Sequence, residues 1–119
     1  MSDTKSKEKS HDKLVKKLEQ ILLSSGQYYI IQANVQYGTS AKTLGEIDVL
    51  AIGSDIFDIY EVKGSAEQNS MRKAVDQVRM ARRYLGQTGS NFIYTPHYGI
   101  ETLDQVVHKL QQRKADRRR

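Results

Sequence analysis

The sequence contains no cysteine and no tryptophan, and only one of its 119 residues is proline. Without cysteine, the chain has no disulfide bonds, no thiolate metal ligands and no cysteine nucleophile. No apolar run approaches the roughly 20 residues that a membrane-crossing helix needs, and residues 1–12 lack the apolar core of a secretory signal. These absences predict an intracellular protein that does not have a membrane as its partner.

The composition that remains is typical of one modest globular domain, with 38% hydrophobic and 28% charged residues. The formal net charge of +5 favours a polyanionic partner. Residues 1–10 are polar and lysine-rich and predict a flexible basic arm, and residues 113–119 predict a basic tail. Residues 11–112 are expected to form the single domain.

Hydrophobic periodicity predicts helices and strands in the order α-β-β-β-α-β-α. The expected helices and strands are, in chain order, α 11–25, β 28–36, β 46–52, β 56–63, α 67–85, β 91–95 and α 101–112. Three sequential strands favour an antiparallel meander, and the helix after them can carry the chain to a fourth strand parallel to the third. We therefore expect an α/β domain with a central mixed sheet of four to five strands, flanked by helices.

Charged side chains are concentrated on the predicted hairpin of strands 46–52 and 56–63. Residues two apart on a strand point the same way, so Glu46 and Asp48 are expected on one face. The same spacing places Glu61 and Lys63 on one face of the second strand. If the two faces coincide, three carboxylates and an ammonium group converge, which is unfavourable unless a cation lies among them.

The hairpin residues have the chemistry of a divalent-cation site. Carboxylates of Asp48 and Glu61, with the backbone carbonyl of Val62, are oxygen ligands that suit Mg²⁺. Such an ion polarises a phosphoryl oxygen and activates water, and Lys63 could orient or deprotonate that water or stabilise charge on the phosphate. The competing interpretation is an ordinary cross-strand pair of Glu61 and Lys63, with Asp48 exposed. The joint pattern on two strands favours the metal site.

Asp48 with Glu61-Val62-Lys63 resembles the metal-binding signature of the PD-(D/E)xK nuclease superfamily. The order of elements is similar to that of archaeal Holliday-junction resolvases of the Hjc type. Gly45-Glu46-Ile47-Asp48 and Glu61-Val62-Lys63 also resemble the corresponding residues of nuclease-like proteins of the YraN type. The resemblance covers roughly residues 11–95.

The resemblance implies a restriction-endonuclease-like fold with Asp48 and Glu61 as metal ligands and Lys63 as the catalytic lysine. Mg²⁺ is the implied cofactor, and Mn²⁺ is an alternative. The resemblance further implies hydrolysis of a DNA phosphodiester that leaves a 5′-phosphate. A four-way junction requires two symmetric incisions and the chain has one candidate site, so a homodimer is expected.

Two further candidate ligands follow from the same resemblance. The resembling families usually have a glutamate early in the first helix, where this sequence has His11, Asp12 and Lys13. Asp12 or Glu19 could replace that glutamate, or the ligand could be missing. Glu19 is otherwise a surface residue that pairs with a neighbouring lysine.

Two more polar residues are candidates for contacts with the metal ligands rather than with the metal. Glu46 could make such a contact or could cap the end of its strand. Gln77 borders the apolar stripe of the helix at 67–85, because it lies three residues after Ala74 and four before Ala81. It could face the hairpin, or it could be a plain surface glutamine.

The helix at 67–85 also carries basic residues opposite its apolar stripe, namely Arg72, Lys73, Arg79, Arg82 and Arg83. Such a face gives salt-dependent and largely sequence-independent DNA affinity, although helical arginines often serve only solubility. No helix-turn-helix or zinc-finger pattern occurs, which favours DNA structure over base sequence as the target.

Several other side chains are weaker candidates for contacts with DNA or with a second subunit. Tyr84 could stack on a base or pack on the sheet, and hydroxyls of Ser40 and Ser65 could donate to a phosphate. The tyrosines expected at the surface, and therefore candidates for the dimer interface, are Tyr28, Tyr29, Tyr94 and Tyr98.

Together these observations predict a metal-dependent DNA endonuclease, most similar to a structure-selective junction resolvase. One alternative is a nicking or repair nuclease without junction preference. The other is a non-catalytic nucleic-acid-binding protein on the same fold.

Overall fold

The structure is a computed structural model that describes the backbone of residues 2–117 and the side chains of residues 9–115. The elements of this part of the chain are, in order, α1 (Ser2–Ser25), β1 (Ile30–Gly38), β2 (Thr43–Gly53), β3 (Ile56–Val62), α2 (Gln68–Leu85), β4 (Asn91–Thr95), β5 (Gly99–Thr102) and α3 (Leu103–Arg117). The order α-β-β-β-α-β-β-α confirms the predicted α/β fold class.

The sheet has five strands in the spatial order β1-β2-β3-β4-β5. The β1, β2 and β3 strands form the predicted antiparallel meander, β3 and β4 are parallel, and β4 and β5 are antiparallel. Helix α2 connects the parallel pair, because parallel neighbours need a long crossover. The mixed sheet that the sequence predicts is therefore present.

The fifth strand was not in the predicted order of elements. Its four residues, Gly99–Thr102, pair with β4 after a turn that the sequence marks with Pro96. The backbone N–H of Tyr98 donates to Oγ1 of Thr95 at 3.0 Å and closes this turn. A strand of four residues is too short to show a clear period of two. The pattern therefore predicted a turn and then a helix from Glu101, whereas Glu101 and Thr102 lie in the strand and the helix begins at Leu103.

Both terminal helices extend beyond their predicted limits. Residues 2–10, predicted as an irregular arm, form the first turns of α1, and α3 continues to Arg117 instead of ending at residue 112. The apolar periodicity marks only the packed part of a helix, and lysine and glutamate are themselves good helix formers. Met1 and residues 118–119 of the predicted tail lie outside the described residues.

Two apolar cores cover the two faces of the sheet. On one face α1 packs Val15, Leu18 and Leu22 against residues that include Val49 and Val62. On the other face α2 and α3, the latter with Val106, pack against a second set, which includes Ile47, Leu50, Ile59 and Ile93. Because both faces are covered, Ile47 to Ala51 of β2 are buried without interruption.

The alternation of side chains is interrupted at the middle of β1 and β2. Ile47 and Val49 are two residues apart, yet they pack in the cores on opposite faces. On the neighbouring strand, Asn34 has a φ of 56°, and Val35 lies on the opposite face from Ala33. The period of two in the sequence predicts that Tyr29, Ile31, Ala33 and Val35 share one face, and this prediction is wrong at Val35. A left-handed residue reverses the alternation of the strand, and asparagine tolerates this conformation.

Candidate metal centre

Asp48 and Glu61 lie where the β2–β3 hairpin opens. The hairpin turn joins Gly53 to Ile56. From there the two strands pair, residue by residue, as far as Val49 opposite Tyr60. The same register places Asp48 beside Glu61 one residue further on, at the point where the pairing of the two strands stops. Both carboxylates are buried, at 6% and 5% exposure. The predicted convergence of these two side chains is thus present.

The carboxylate of Asp48 takes the place of a backbone acceptor at the end of the ladder. Its Oδ2 accepts the backbone N–H of Val62 at 2.8 Å. The N–H and C=O of one strand residue point to the same side, so the carbonyl of Val62 also faces the edge where Asp48 lies. Two carboxylates and one backbone carbonyl therefore share one end of the hairpin.

Lys63 lies beside this pair, with its Nζ 3.6 Å from Oε2 of Glu61. Burial and, secondarily, the neighbouring charge of Asp48 raise the pKa of Glu61 to about 8, against the opposing effect of the Lys63 ammonium. One ammonium group thus leaves the carboxylate pair undercompensated. This argues against an ordinary surface charge pair, the competing interpretation of these residues.

His11 of α1 completes the surroundings of Asp48. Its Nε2 lies 3.4 Å from Oδ2 of Asp48, and its side chain is 37% exposed. In the sequence, His11 is only one of three residues at the position where the resembling families have a glutamate. Its role could not be inferred from the sequence, because the contact depends on how α1 docks across the end of β2.

A groove of about 560 Å³ opens beside Lys63, between α1 and the start of α2. Its polar lining includes Ser10 and His11 from α1 and Ser65 and Ser70 from the segment after β3. The groove offers an ammonium, an imidazole and hydroxyl groups, which are donors suited to an anionic chain. Ser65 is therefore positioned as predicted, although its Oγ already accepts the backbone N–H of Glu67 at 3.1 Å.

The donors present fit one hard divalent ion. Within residues 9–115, no three His, Cys, Asp or Glu side chains form a group arranged to hold a metal ion. Mg²⁺ is, however, commonly held by one or two carboxylates together with waters. The buried pair of Asp48 and Glu61, with the carbonyl of Val62, matches that requirement, and a cation would offset their mutual repulsion.

The two acidic alternatives on α1 do not reach this site. Glu19 follows His11 by eight residues, which is about 12 Å along a helix, so it lies more than two turns away from Asp48. Asp12 is exposed, and adjacent residues on a helix point about 100° apart, so its side chain leaves the axis in a different direction from His11. His11 is the α1 side chain that contacts Asp48.

Glu46 and Gln77 lie together but not with Asp48. Glu46 pairs with Gln36 of β1 and is exposed, whereas Asp48 is buried beside Glu61. Glu46 and Gln77 line a small cavity of about 180 Å³ next to Tyr37, whose pKa is raised by burial and, secondarily, by the charge of Glu61. Tyr37 therefore separates this cavity from the carboxylate pair.

Arg82 is a structural residue and not part of an exposed basic face. Its Nε donates to Oδ1 of Asn91 at 2.9 Å, and its terminal nitrogens donate to the carbonyls of Gln87, Phe57 and Ser90 at 2.7 to 2.9 Å. Burial lowers the pKa of its guanidinium, and the nearby charge of Asp58 opposes this. The prediction that Arg82 binds DNA is wrong, because its donors fasten the loop between α2 and β4.

The other four basic residues of α2 are exposed but occupy two flanks. Arg72 and Arg79 lie on the flank that faces α3, where they line a groove with Lys114, and helical spacing places Arg83 on the same flank. Lys73 precedes Gln77 by one turn and belongs to the flank that faces β1 and β2. The predicted single face is therefore a row of three arginines with one separate lysine.

The tyrosines divide into buried and exposed groups. Tyr94 is buried in the core beneath α1, and Tyr28 is half-buried with its hydroxyl donating to Oδ2 of Asp58 at 2.5 Å. These two were predicted to be exposed, and that prediction is wrong. Tyr29 and Tyr98 are exposed, at 81% and 42%.

Tyr84 and Ser40 lie at the edge formed by β1 and β2. The ring of Tyr84 packs on that of Tyr37 with 5.1 Å between centroids, and its hydroxyl donates to the carbonyl of Gly38. Tyr84 thus packs at the sheet edge, as one of the two interpretations expected. Ser40 is exposed in the turn between β1 and β2, away from the groove beside Lys63.

Comparisons with protein-family models, with curated proteins and with solved structures found no match. In the part of the chain that the structure describes, no helix is both long and apolar enough to cross a membrane. The function must therefore be argued from the geometry of the site.

Proposed function

We propose that this protein is a metal-dependent DNA endonuclease that selects branched DNA, such as a four-way junction. One observation carries the proposal: the buried carboxylates of Asp48 and Glu61 adjoin at the open end of a hairpin, with Lys63 3.6 Å from Glu61. Buried like charges are costly in a small domain, so their retention together indicates a ligand with positive charge. The resemblance to PD-(D/E)xK nucleases supports the same assignment.

Each residue of the site has a distinct task in this proposal. Asp48, Glu61 and the carbonyl of Val62 hold Mg²⁺, for which Mn²⁺ can substitute. When bound, such an ion supplies Lewis-acid activation of the phosphodiester and of a water molecule. Lys63 places its ammonium at the mouth of the groove, where it stabilises charge on the scissile phosphate and orients the attacking water. The products carry a 5′-phosphate.

The DNA contacts in this proposal come from two surfaces. The groove between α1 and α2 takes the strand to be cut, and the arginine row of Arg72, Arg79 and Arg83 contacts phosphates of the remaining duplex. Neither surface offers a helix shaped for reading base edges, so DNA structure is the expected determinant. Because the described residues form one such site, symmetric incision of a junction requires two copies related by a two-fold axis. The expected location is intracellular, where such DNA occurs.

The second candidate is a nucleic-acid-binding protein that has kept the fold without catalysis. It is favoured by the imidazole of His11 where the resembling nucleases usually have a carboxylate. The buried pair of Asp48 and Glu61 opposes it, because a protein that only binds DNA gains nothing from an undercompensated negative site.

Cleavage of a labelled four-way junction and of the matching linear duplex, with Mg²⁺ and with Mn²⁺, tests the proposal. We expect paired symmetric cuts in the junction alone, and their loss in Glu61→Gln. Cutting of both substrates would support a nicking or repair nuclease in place of the resolvase. Tight binding of both substrates without any cutting would support the non-catalytic alternative.

A further inference from the structure

The imidazole of His11 lies where it can share a metal ion with Asp48. Its Nε2 is 3.4 Å from Oδ2 of Asp48, and both atoms border the open end of the hairpin. Two neighbouring ligands of an octahedral ion with bonds of about 2.1 Å are themselves about 3 Å apart. The observed separation therefore approaches that of two ligands of one ion, before any ion has drawn them together.

The position of His11 relative to solvent also suits a metal ligand. His11 and Lys63 both line the groove of about 560 Å³, so the imidazole lies on the solvent side of Asp48. Its side chain is 37% exposed, whereas that of Asp48 is 9% exposed. An ion that enters from the groove therefore meets the imidazole and the carboxylate together.

We propose that His11 is a direct ligand of the metal, and that it gives this site a preference for Mn²⁺ and Co²⁺ over Mg²⁺. The inference rests on the proposed function, because it assumes that Asp48 and Glu61 hold a divalent ion. Imidazole nitrogen is a favourable ligand for first-row transition ions, whereas Mg²⁺ takes oxygen ligands almost exclusively. Replacing one oxygen ligand by nitrogen therefore changes which ion the site selects.

An ion pair is the competing role for His11. A protonated imidazole could simply balance the charge of Asp48 and orient its carboxylate. In that case His11 would affect every divalent ion to the same extent. The ratio of affinities for Mn²⁺ and Mg²⁺ therefore distinguishes a ligand from a counter-charge.

Titration calorimetry of Mg²⁺, Mn²⁺ and Co²⁺ into the full chain measures that ratio. We expect the wild type to bind Mn²⁺ and Co²⁺ more tightly than Mg²⁺. In His11→Gln the affinity for Mn²⁺ and Co²⁺ should fall by about 10-fold or more. The affinity for Mg²⁺ should change by less, so the ratio falls. His11→Glu should instead raise the affinity for Mg²⁺, because it restores an oxygen ligand.

Pulsed electron paramagnetic resonance of the Mn²⁺-loaded protein gives a readout that does not depend on activity. We expect a coupling from directly bound imidazole nitrogen in the wild type and its loss in His11→Gln. The matched control is His108→Gln, which removes an exposed imidazole from α3 and should change nothing. Glutamine is a good helix former, so both variants should fold.

The outcomes separate this inference from the proposed function. If Asp48→Asn leaves metal binding unchanged, the metal site itself is wrong and both proposals fail. If Asp48→Asn abolishes binding while His11→Gln leaves the affinity ratio and the nitrogen coupling unchanged, only the role of His11 is overturned. Loss of the coupling together with a lower ratio supports His11 as a ligand.

Discussion

At the scale of single residues, the feature that most constrains the function is the buried pair of Asp48 and Glu61. Asp48 has a backbone N–H and an imidazole as neighbours, whereas the cationic neighbour of Glu61 is the ammonium of Lys63 at 3.6 Å. The unequal compensation explains why burial and the charge of Asp48 raise the pKa of Glu61. The pair therefore lowers the free energy of unfolding when no divalent metal is bound.

This cost predicts a pH dependence of stability without divalent metal. The pKa of Glu61 rises from 4.5 to about 8 on folding, so the folded state holds more protons than the unfolded state between these values. The free energy of unfolding should therefore fall as the pH rises through this window, by at most about 1.4 kcal/mol per pH unit from this group. Below pH 4.5 the carboxyl is protonated in both states and adds no slope.

Urea unfolding in EDTA at several pH values between 5 and 8 measures this effect. Glu61→Gln should show a flatter profile and higher stability than the wild type at pH 8, because the neutral amide needs no counter-charge. Glu67→Gln is the matched control at an exposed position and should follow the wild type. Parallel profiles for wild type and Glu61→Gln would refute a raised pKa at Glu61.

Arg82 gives a second prediction at the residue scale. Arg82→Ala removes four hydrogen bonds, of which those to Oδ1 of Asn91 and to the carbonyl of Phe57 are partly buried. We expect a loss of roughly 2–4 kcal/mol in the free energy of unfolding. The neighbouring Arg83→Ala, at an exposed position, should change it by about 0.5 kcal/mol or less. Equal effects in denaturant unfolding would contradict the structural role of Arg82.

At the scale of elements, the sequence predicted the helices and strands whose patterns are long. The α2 helix was predicted at residues 67–85 and is found at Gln68–Leu85, because its apolar stripe runs through the whole helix. The hairpin was equally clear, since two apolar strands flank a short turn in which Asp55 adopts a φ of 58°. These local signals were sufficient to bring Asp48 and Glu61 together.

Features that depend on how elements pack could not be predicted in this way. At Asn34 the alternation of β1 side chains is reversed, so that Ala33 and Val35 pack in the cores on opposite faces of the sheet. The orientation of Arg82 depends on the loop before β4, and the contact of His11 depends on the docking of α1. In each case the deciding neighbour is distant in the sequence.

The division of α2 into two flanks predicts which basic residues bind DNA. The double variant Arg72→Gln/Arg79→Gln should bind DNA more weakly than the wild type. Its slope of log affinity against log salt concentration should be smaller in magnitude by roughly 2, since each phosphate contact contributes about 0.9. Lys16→Gln with Lys17→Gln is the charge-matched control on α1, at exposed positions on the other face of the sheet. A similar reduction in both double variants, measured by fluorescence anisotropy, would show that only net charge matters.

At the scale of the whole molecule, the fold brings the separate parts of the proposal to one end of the sheet. The α1 helix covers one face and provides His11, while α2 covers the other and begins beside Lys63. The open end of the hairpin lies between them. This arrangement leaves a groove lined by Lys63, His11 and serine hydroxyls next to a buried pair of carboxylates, which distinguishes the site from a general basic surface.

The central claim is that the site cuts DNA and does not merely bind it. Substitution of Lys63 distinguishes these two possibilities, because it should affect cutting much more than binding. The most direct measurement is single-turnover cleavage of a four-way junction by the wild type and by Lys63→Met, with binding measured on the same samples. We expect nearly equal binding, because one ammonium is a small part of the basic surface. The cleavage rate of Lys63→Met should fall by about 100-fold or more. A wild type that binds the junction without cutting it, or a Lys63→Met variant that cuts at the wild-type rate, would contradict the account.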